Sequence, residues 1–315
     1  MRRFVTYLIL VAGACPAAEP AASQSFVLVD LATPYAAFWD ESRDLATPER
    51  VAAFKSRFDV LLPGFFTAQR VGWTSDSQYD GAIASSFEKF PAIRTRFTAT
   101  TAVFAKLLAP AHQSFTKTFP DLRPIGPIYL VHSLGEFDGG TRQVSGVNRL
   151  MFGIDVIARL HDFPDEQPFF HHELFHVYHS QFFEECEQAW CALWMEGLAV
   201  FAARSLNPAA SDAELLLSSP RPIRADVELD RKAAVCAAVA RLDSSQPVDY
   251  AALFSNGPAP NGLPPRFGYY VGYLAAQEAT RRQSLTGLAH LDNAAARAVL
   301  AAALARLATC GKVSP

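Results

Sequence analysis

The sequence predicts an α+β protein, predominantly helical, with a small β-sheet packed beside a histidine-rich helix. Three observations lead there. Most long segments repeat apolar residues at helical spacing. Two short β-rich runs stand immediately ahead of a stretch that carries four of the eight histidines. Half of the 315 residues are apolar and 19% are charged, a globular composition with enough chain for one large domain or two modest ones. The formal net charge is −3, and no run of lysine or arginine stands out. That excludes an electrostatic case for nucleic acid or for anionic membrane surfaces as partners.

The first 23 residues read as a secretory signal peptide. A basic "MRR" is followed by the apolar run "FVTYLILVAGA" and then by small residues and prolines. The apolar run is too short for a membrane span. Two endings fit: cleavage after Ser23 with Ala21 at the −3 position, or a lipoprotein signal ending at Cys15 with a lipid anchor there. No later run is long enough to cross a bilayer, so the mature chain is expected to be exported, periplasmic or secreted. Either ending removes or modifies Cys15 and leaves four cysteines, an even number that suits two disulfides. Of the three possible pairings, Cys186–Cys191 with Cys236–Cys310 is the favoured one.

Residues 24–125 are expected to form a helical N-terminal layer with proline and glycine breaks. "TPERVAAFKSRFDVLL", with Thr47 or a neighbour as cap, and "PAIRTRFTATTAVFAKLLAPAHQSF" carry it. The texture changes at residue 126. Ile128 to His132 is a short strand, "FDGGTRQVSG" a loop, and "VNRLMFGIDVIA" a second strand. The chain is helical again after Glu185, in "EQAWCALWMEGLAVFAARSL" and "DVELDRKAAVCAAVARLDS". The proline-rich loop "SNGPAPNGLPP" precedes "RFGYYVGYLAAQEATRR" and a final alanine-rich helix.

The chemistry concentrates in "FPDEQPFFHHELFHVYHSQFFEE", residues 163–185. Asp165 can cap this helix, and Pro168 is tolerated in its first turn. His172 and His176 are four apart and therefore share a face one turn apart, where two imidazoles can converge on one tetrahedral zinc. Glu173 is rotated about 100° from His172, beside such a metal and able to take a proton from its water. Glu196, twenty residues beyond His176, is an acid in a strongly apolar helix. Buried and unpaired it would be costly, and binding a cation removes that cost. The competing reading is an ion pair with Arg204. Gly197 and Ala199 allow this helix to approach the first closely. His179 shares the histidine face but lies about 10 Å from His172 along the axis, too far for the same ion, so it is expected in a supporting or surface role. His171 is rotated off the face. His132, His161 and His290 are expected as surface or core residues.

His172-Glu173-Leu174-Phe175-His176 followed by Glu196-Gly197-Leu198-Ala199 resembles the gluzincin clan of zinc metallopeptidases, which includes thermolysin. "ALWMEGLA" and "RFGYYVGYLAA" further resemble an uncharacterised family of predicted zinc-dependent proteases related to gliding-motility lipoproteins. The likeness covers residues from about 128 to 280. It implies a zincin-like catalytic region over residues 126–315, one Zn2+ held by His172, His176 and Glu196, Glu173 as general base, and a peptide or protein as substrate. The oxyanion of the tetrahedral intermediate needs a hydrogen-bond donor. Tyr270 is the first candidate, with Tyr273 and Arg266 behind it. The resemblance also implies that the sheet edge beside the helix, taken as "NRLMFGID", accepts an extended peptide. Arg149 or Asp155 would then set side-chain preference. Two other readings remain open: an envelope accessory protein with a structural or vestigial zinc, and a zinc hydrolase of a non-peptide amide.

Overall fold

The computed structural model describes residues 26–162 and 165–310. The expected signal peptide and Cys15 lie outside the described residues. The fold is α+β and predominantly helical, with one four-stranded sheet.

The N-terminal part begins with a strand that helical periodicity did not anticipate, β1 (Leu28–Asp30), followed by α1 (Ala32–Glu41) and α2 (Thr47–Leu61). Asp30 Oδ1 accepts from the backbone N–H of Ala32 and Thr33 at 2.9 Å each, which turns the strand sharply into α1. Next comes α3 (Asp76–Thr118), 43 residues long and capped by Ser75 Oγ. Pro91 and Pro110 lie inside it, so the expected proline breaks do not end this helix. The buried stripe of Phe87, Phe90, Phe97, Phe104, Leu108 and Phe115 runs its length. Burial of that stripe outweighs the cost of an interior proline, which is roughly 3 kcal/mol.

The sheet order is β1-β2-β4-β3, with β2 at Ile128–Val131, β3 at Gly139–Val144 and β4 at Val147–Gly153. β1, β2 and β4 are parallel neighbours, and β3 runs antiparallel to β4 with Thr141 opposite Leu150. This corrects two expectations. "FDGGTRQVSG" is not a loop but contains the edge strand β3, joined to β4 by the turn at Ser145 and Gly146, both with positive φ. "VNRLMFGIDVIA" is a strand only as far as Gly153; α4 (Ile154–Leu160) follows at once. The edge is therefore β3, and β4 lies inside the sheet.

The N-terminal helices, the sheet and the histidine-rich helix α5 (Gln167–His179) share one apolar core. Phe152 of β4 meets Phe104 of α3 and Phe169 and Phe170 of α5 at ring separations of 5.0, 5.7 and 5.6 Å. Behind α5 lies α6 (Ala189–Leu206), apolar nearly all round and buried over most of its length. Behind α6 lies α10 (Phe267–Ala279). The two backbones touch at paired glycines: a methyl group at Gly197 would sit 2.3 Å from the carbonyl carbon of Gly272. Five more helices, α7 (Ile223–Leu229), α8 (Arg231–Val239), α9 (Pro247–Phe254), α11 (Leu285–Ala289) and α12 (Asn293–Leu307), complete the C-terminal layer.

Two disulfides form, Cys186–Cys191 between α5 and α6, and Cys236–Cys310 across 74 residues. No described helix is long and apolar enough to cross a membrane.

Gly197→Ala is expected to force α6 and α10 apart and to cost about 1–3 kcal/mol of stability, the range for overpacking a tight contact. A urea titration followed by circular dichroism checks this. Loop-closure entropy puts the Cys236–Cys310 bridge at about 4 kcal/mol and the Cys186–Cys191 bridge at about 2 kcal/mol. Paired Cys→Ser variants should rank in that order by thermal unfolding.

Candidate metal centre

His172 and His176 project from one face of α5, and Glu196 reaches them from α6. Asp165 accepts a hydrogen bond from the Gln167 backbone N–H at 2.9 Å, and Pro168 stands in the first turn, so the start of α5 forms as its local sequence requires. The three ligand-type atoms form a small triangle. His172 Nε2 and His176 Nε2 are 3.0 Å apart, and Glu196 Oε2 is 3.2 and 3.3 Å from them. A tetrahedral ion with arms of 2.0–2.1 Å sets its ligand atoms about 3.3–3.4 Å apart. The triangle thus has the size of one tetrahedral face. Glu196 Oε2 makes no hydrogen bond of acceptable geometry despite these close neighbours. Arg204, the alternative partner of Glu196, donates instead to the Ala210 carbonyl. The donor set, two imidazoles and a carboxylate, fits zinc.

The electrostatics favour a cation here. The carboxyl of Glu196 pays for its burial, yet the His176 and His172 imidazoles beside it hold its pKa far below the ordinary carboxylate range. Burial lowers the His176 pKa, but Glu196 overrides it and holds the imidazole at about 9. A metal bound at this point competes with those protons. The three side chains keep 11, 16 and 20% of their surface exposed, so the cluster is sunk in a wall but reachable from solvent.

Glu173 lies on the sheet side of α5, against the edge strand. A methyl group at Gly139 would fall 2.8 Å from the Glu173 carboxyl carbon, so only glycine admits the side chain there. Glu173 is buried, and its Oε2 has no hydrogen-bond partner among the described residues. Burial raises its pKa, Asp138 and Glu196 add to the rise, and the two imidazoles oppose it. A carboxylate left unpaired in such a place is costly to the fold and available to a reacting proton.

Next to Gly139 stands a buried ion cluster. His161 Nδ1 is 2.9 Å from Glu166 Oε2, and its Nε2 is 3.2 Å from Asp138 Oδ2. Burial works against the His161 cation, but the two carboxylates raise its pKa to about 9. Nothing in the residue pattern marked this group, because Asp138 lies in the stretch read as a loop.

Tyr270 does not face the metal cluster in the way proposed for the oxyanion donor. Its hydroxyl donates to Glu228 Oε1 of α7 at 2.7 Å. The tyrosine one position earlier, Tyr269, lies within electrostatic reach of Glu196. The Tyr269 pKa is raised well above 10 by burial, then by the negative charge of Glu196, with Tyr250 and Asp138 adding and Arg266 opposing. Its phenol therefore stays protonated, and among the described residues no protein group accepts a hydrogen bond from it. Tyr273 stacks on Tyr270 at 5.6 Å, and its hydroxyl receives a hydrogen bond from Gln277.

The remaining histidines serve the fold. His171 bonds Ser114, the Ala111 carbonyl and Asn207. His132 stacks on Tyr35 at 3.9 Å, and His290 bonds Tyr178. His179 is buried, stacked on Phe183, with both ring nitrogens unpartnered, and burial brings its pKa down to about 3. Asp155 is not available to substrate: its carboxylate accepts from the Ser133 N–H and hydroxyl and from the Gly135 N–H. Arg149 lies on the inner strand β4 with its guanidinium over Gly126.

Metal content should follow the triangle. His172→Ala, His176→Ala and Glu196→Ala are each expected to lose most bound zinc by mass spectrometry or atomic absorption, whereas Glu173→Gln retains it. The His161 cluster should show in stability against pH. Its raised pKa means that its contribution is complete below about 6.5 and disappears as the pH climbs through about 9. His161→Gln should flatten that part of the curve in denaturant titrations at pH 6 to 10.

No protein-family model, no curated protein and no solved structure matches the chain.

Proposed function

We propose that the protein is an exported zinc-dependent peptidase of gluzincin type, cleaving peptide bonds in a peptide or protein substrate. The observation that carries this reading is the triangle of His172, His176 and Glu196 with an unpartnered buried carboxylate, Glu173, one residue away. A structural ion needs only its ligands. It has no use for a buried base beside it, and it is normally closed by a fourth protein ligand, whereas these side chains reach solvent.

When bound, the ion supplies Lewis acidity to the scissile carbonyl and lowers the pKa of water. The chain does the rest. Glu173 receives the proton of the attacking water and returns it to the leaving amine. Its burial and raised pKa suit a group that must hold a proton between the two steps. The protonated Tyr269 hydroxyl is the donor that meets the developing oxyanion, in place of Tyr270. The outer edge of β3 offers unpaired backbone groups beside α5, and an extended peptide docks there as a further strand. Two disulfides fit an oxidising compartment outside the cytosol, in line with the N-terminal signal, whether the chain is released or anchored at Cys15.

The test is zinc measurement on the mature protein, with hydrolysis of casein and of quenched peptides. Glu173→Gln should keep its zinc and lose a factor of about 10²–10⁴ in rate, the usual worth of a general base. Equal rates in zinc-loaded wild type and variant would overturn the peptidase reading. Tyr269→Phe should lower kcat by a larger factor than Tyr270→Phe in the same assay.

A further inference from the structure

A cavity of about 350 Å³ lies between α3, α4 and the turn that follows β2, and its lining shares no residue with the metal cluster or with Glu173. β2 and β4 run parallel with Val131 opposite Gly153. His132 and Asp155, just past those two residues, therefore come out at one end of the sheet, and both line the cavity. Sheets of parallel strands commonly bind ligands outside the carboxyl ends of their strands. Phe90 and Ile93 of α3 and Leu134 of the turn make most of the wall apolar.

The titratable groups in that wall are Lys89, His132, Asp155 and Arg159. Asp155 is occupied by the protein: it accepts from the backbone N–H of Ser133 at 2.6 Å and of Gly135 at 2.7 Å. His132 is buried and has one ring nitrogen in use. Its Nδ1 accepts from the Leu134 N–H at 3.2 Å and lies 3.5 Å from Asp155 Oδ2. Leu134 reaches it from a left-handed conformation, φ 59°, which leucine rarely adopts. Burial disfavours the imidazolium, with the Asp155 charge opposing. A neutral imidazole that accepts at Nδ1 carries its proton on Nε2. That N–H has no acceptor among the described residues. Lys89 and Arg159 are exposed, and neither makes an ion pair or a side-chain hydrogen bond among the described residues. The cavity thus carries two free cations against one occupied carboxylate, together with an unpartnered N–H donor.

We propose that this cavity binds a medium-chain fatty acid, its carboxylate met by Lys89, Arg159 and the His132 N–H and its chain lying against Phe90, Ile93 and Leu134. A neutral guest makes no use of the cations, and a cationic one is repelled by them; a carboxylate gains charge-assisted hydrogen bonds. At about 30 Å³ per non-hydrogen atom, the volume that a molecule takes in liquid water, the cavity holds about a dozen atoms. Decanoic acid is of that size. The volume stands at the lower end of the range for small-molecule sites, which suits a short chain better than a folded or extended peptide. The proposal is independent of the peptidase reading.

Isothermal titration calorimetry on the mature protein compares decanoate with decanol and decyltrimethylammonium, a neutral and a cationic guest on the same chain. Decanoate should bind about tenfold tighter than either. The double variant Lys89→Gln/Arg159→Gln should weaken decanoate about fivefold or more and leave decanol unchanged. His132→Phe keeps a ring against Tyr35 and removes the donor, and it too should weaken decanoate alone. Ala82→Trp, which fills the cavity, should abolish binding of decanoate and decanol together. His176→Ala removes a ligand of the metal cluster and should bind decanoate as wild type does. Decanoate binding no tighter than decanol, or binding unchanged in the double variant or in Ala82→Trp, overturns the proposal. So does binding that disappears in His176→Ala, because the carboxylate would then be sitting on the metal. Should Ala82→Trp fail to fold by circular dichroism, the double variant and His132→Phe decide the matter.

Discussion

The arrangement depends on how closely α6 can lie between α5 and α10. Glu196 is an acid on a helix whose surface is apolar nearly all round, and its carboxylate has value only where the two imidazoles of α5 can meet it. The contact of Gly197 with Gly272 sets the depth of α6. Side chains at those two points would hold the helices several ångströms apart, because Cβ atoms cannot interpenetrate backbone. The residue that follows the acid is thus as much a part of the site as the acid, although it touches no reacting group. The same contact fixes which face of α10 packs against α6.

On the opposite side of α5 the edge strand plays a matching part. Glu173 is tolerated in the interior because Gly139 leaves space for it and because the imidazoles of His172 and His176 oppose the effect of burial on its charge. Asp138 belongs to both environments. It raises the proton affinity of Glu173 while its own pKa is held down by His161. The Glu173 carboxyl therefore sits in a field set by fixed groups on strand and helix. Such groups do not need to reorganise when a proton moves.

The cross-links brace the same region. Cys186–Cys191 closes the short link between the two helices that carry the cluster, and limits how far α6 can drift from α5. Cys236–Cys310 ties α8 to the end of the chain beyond α12, around the layer that holds α10 in place. The long aromatic stripe of α3 supports α5 from the other side through Phe104 and Phe115. Rigid support on both flanks suits a site whose ligand atoms must be held to within a few tenths of an ångström.

Much was legible along the chain because it is local. The apolar repeat determined the helices, the four-residue spacing of His172 and His176 determined that they share a face, and an acid amid apolar residues marked Glu196 as needing a partner. Cysteine parity pointed to two disulfides, and the favoured pairing is the one that forms. What the sequence by itself left open, or led to be misread, involves partners far apart in the chain. A glycine-rich stretch reads as a loop, and Gly139–Val144 is a strand only because β4 pairs with it. Pro91 reads as a break, and α3 continues through it because its phenylalanine stripe is buried on both sides of that point. Tyr269 and Tyr270 differ by about 100° around one axis, and only the packing of α10 against α6 and α7 brings the Tyr270 hydroxyl to Glu228. Periodicity tells which residues share a face; which face meets which neighbour is set by close packing of the whole molecule.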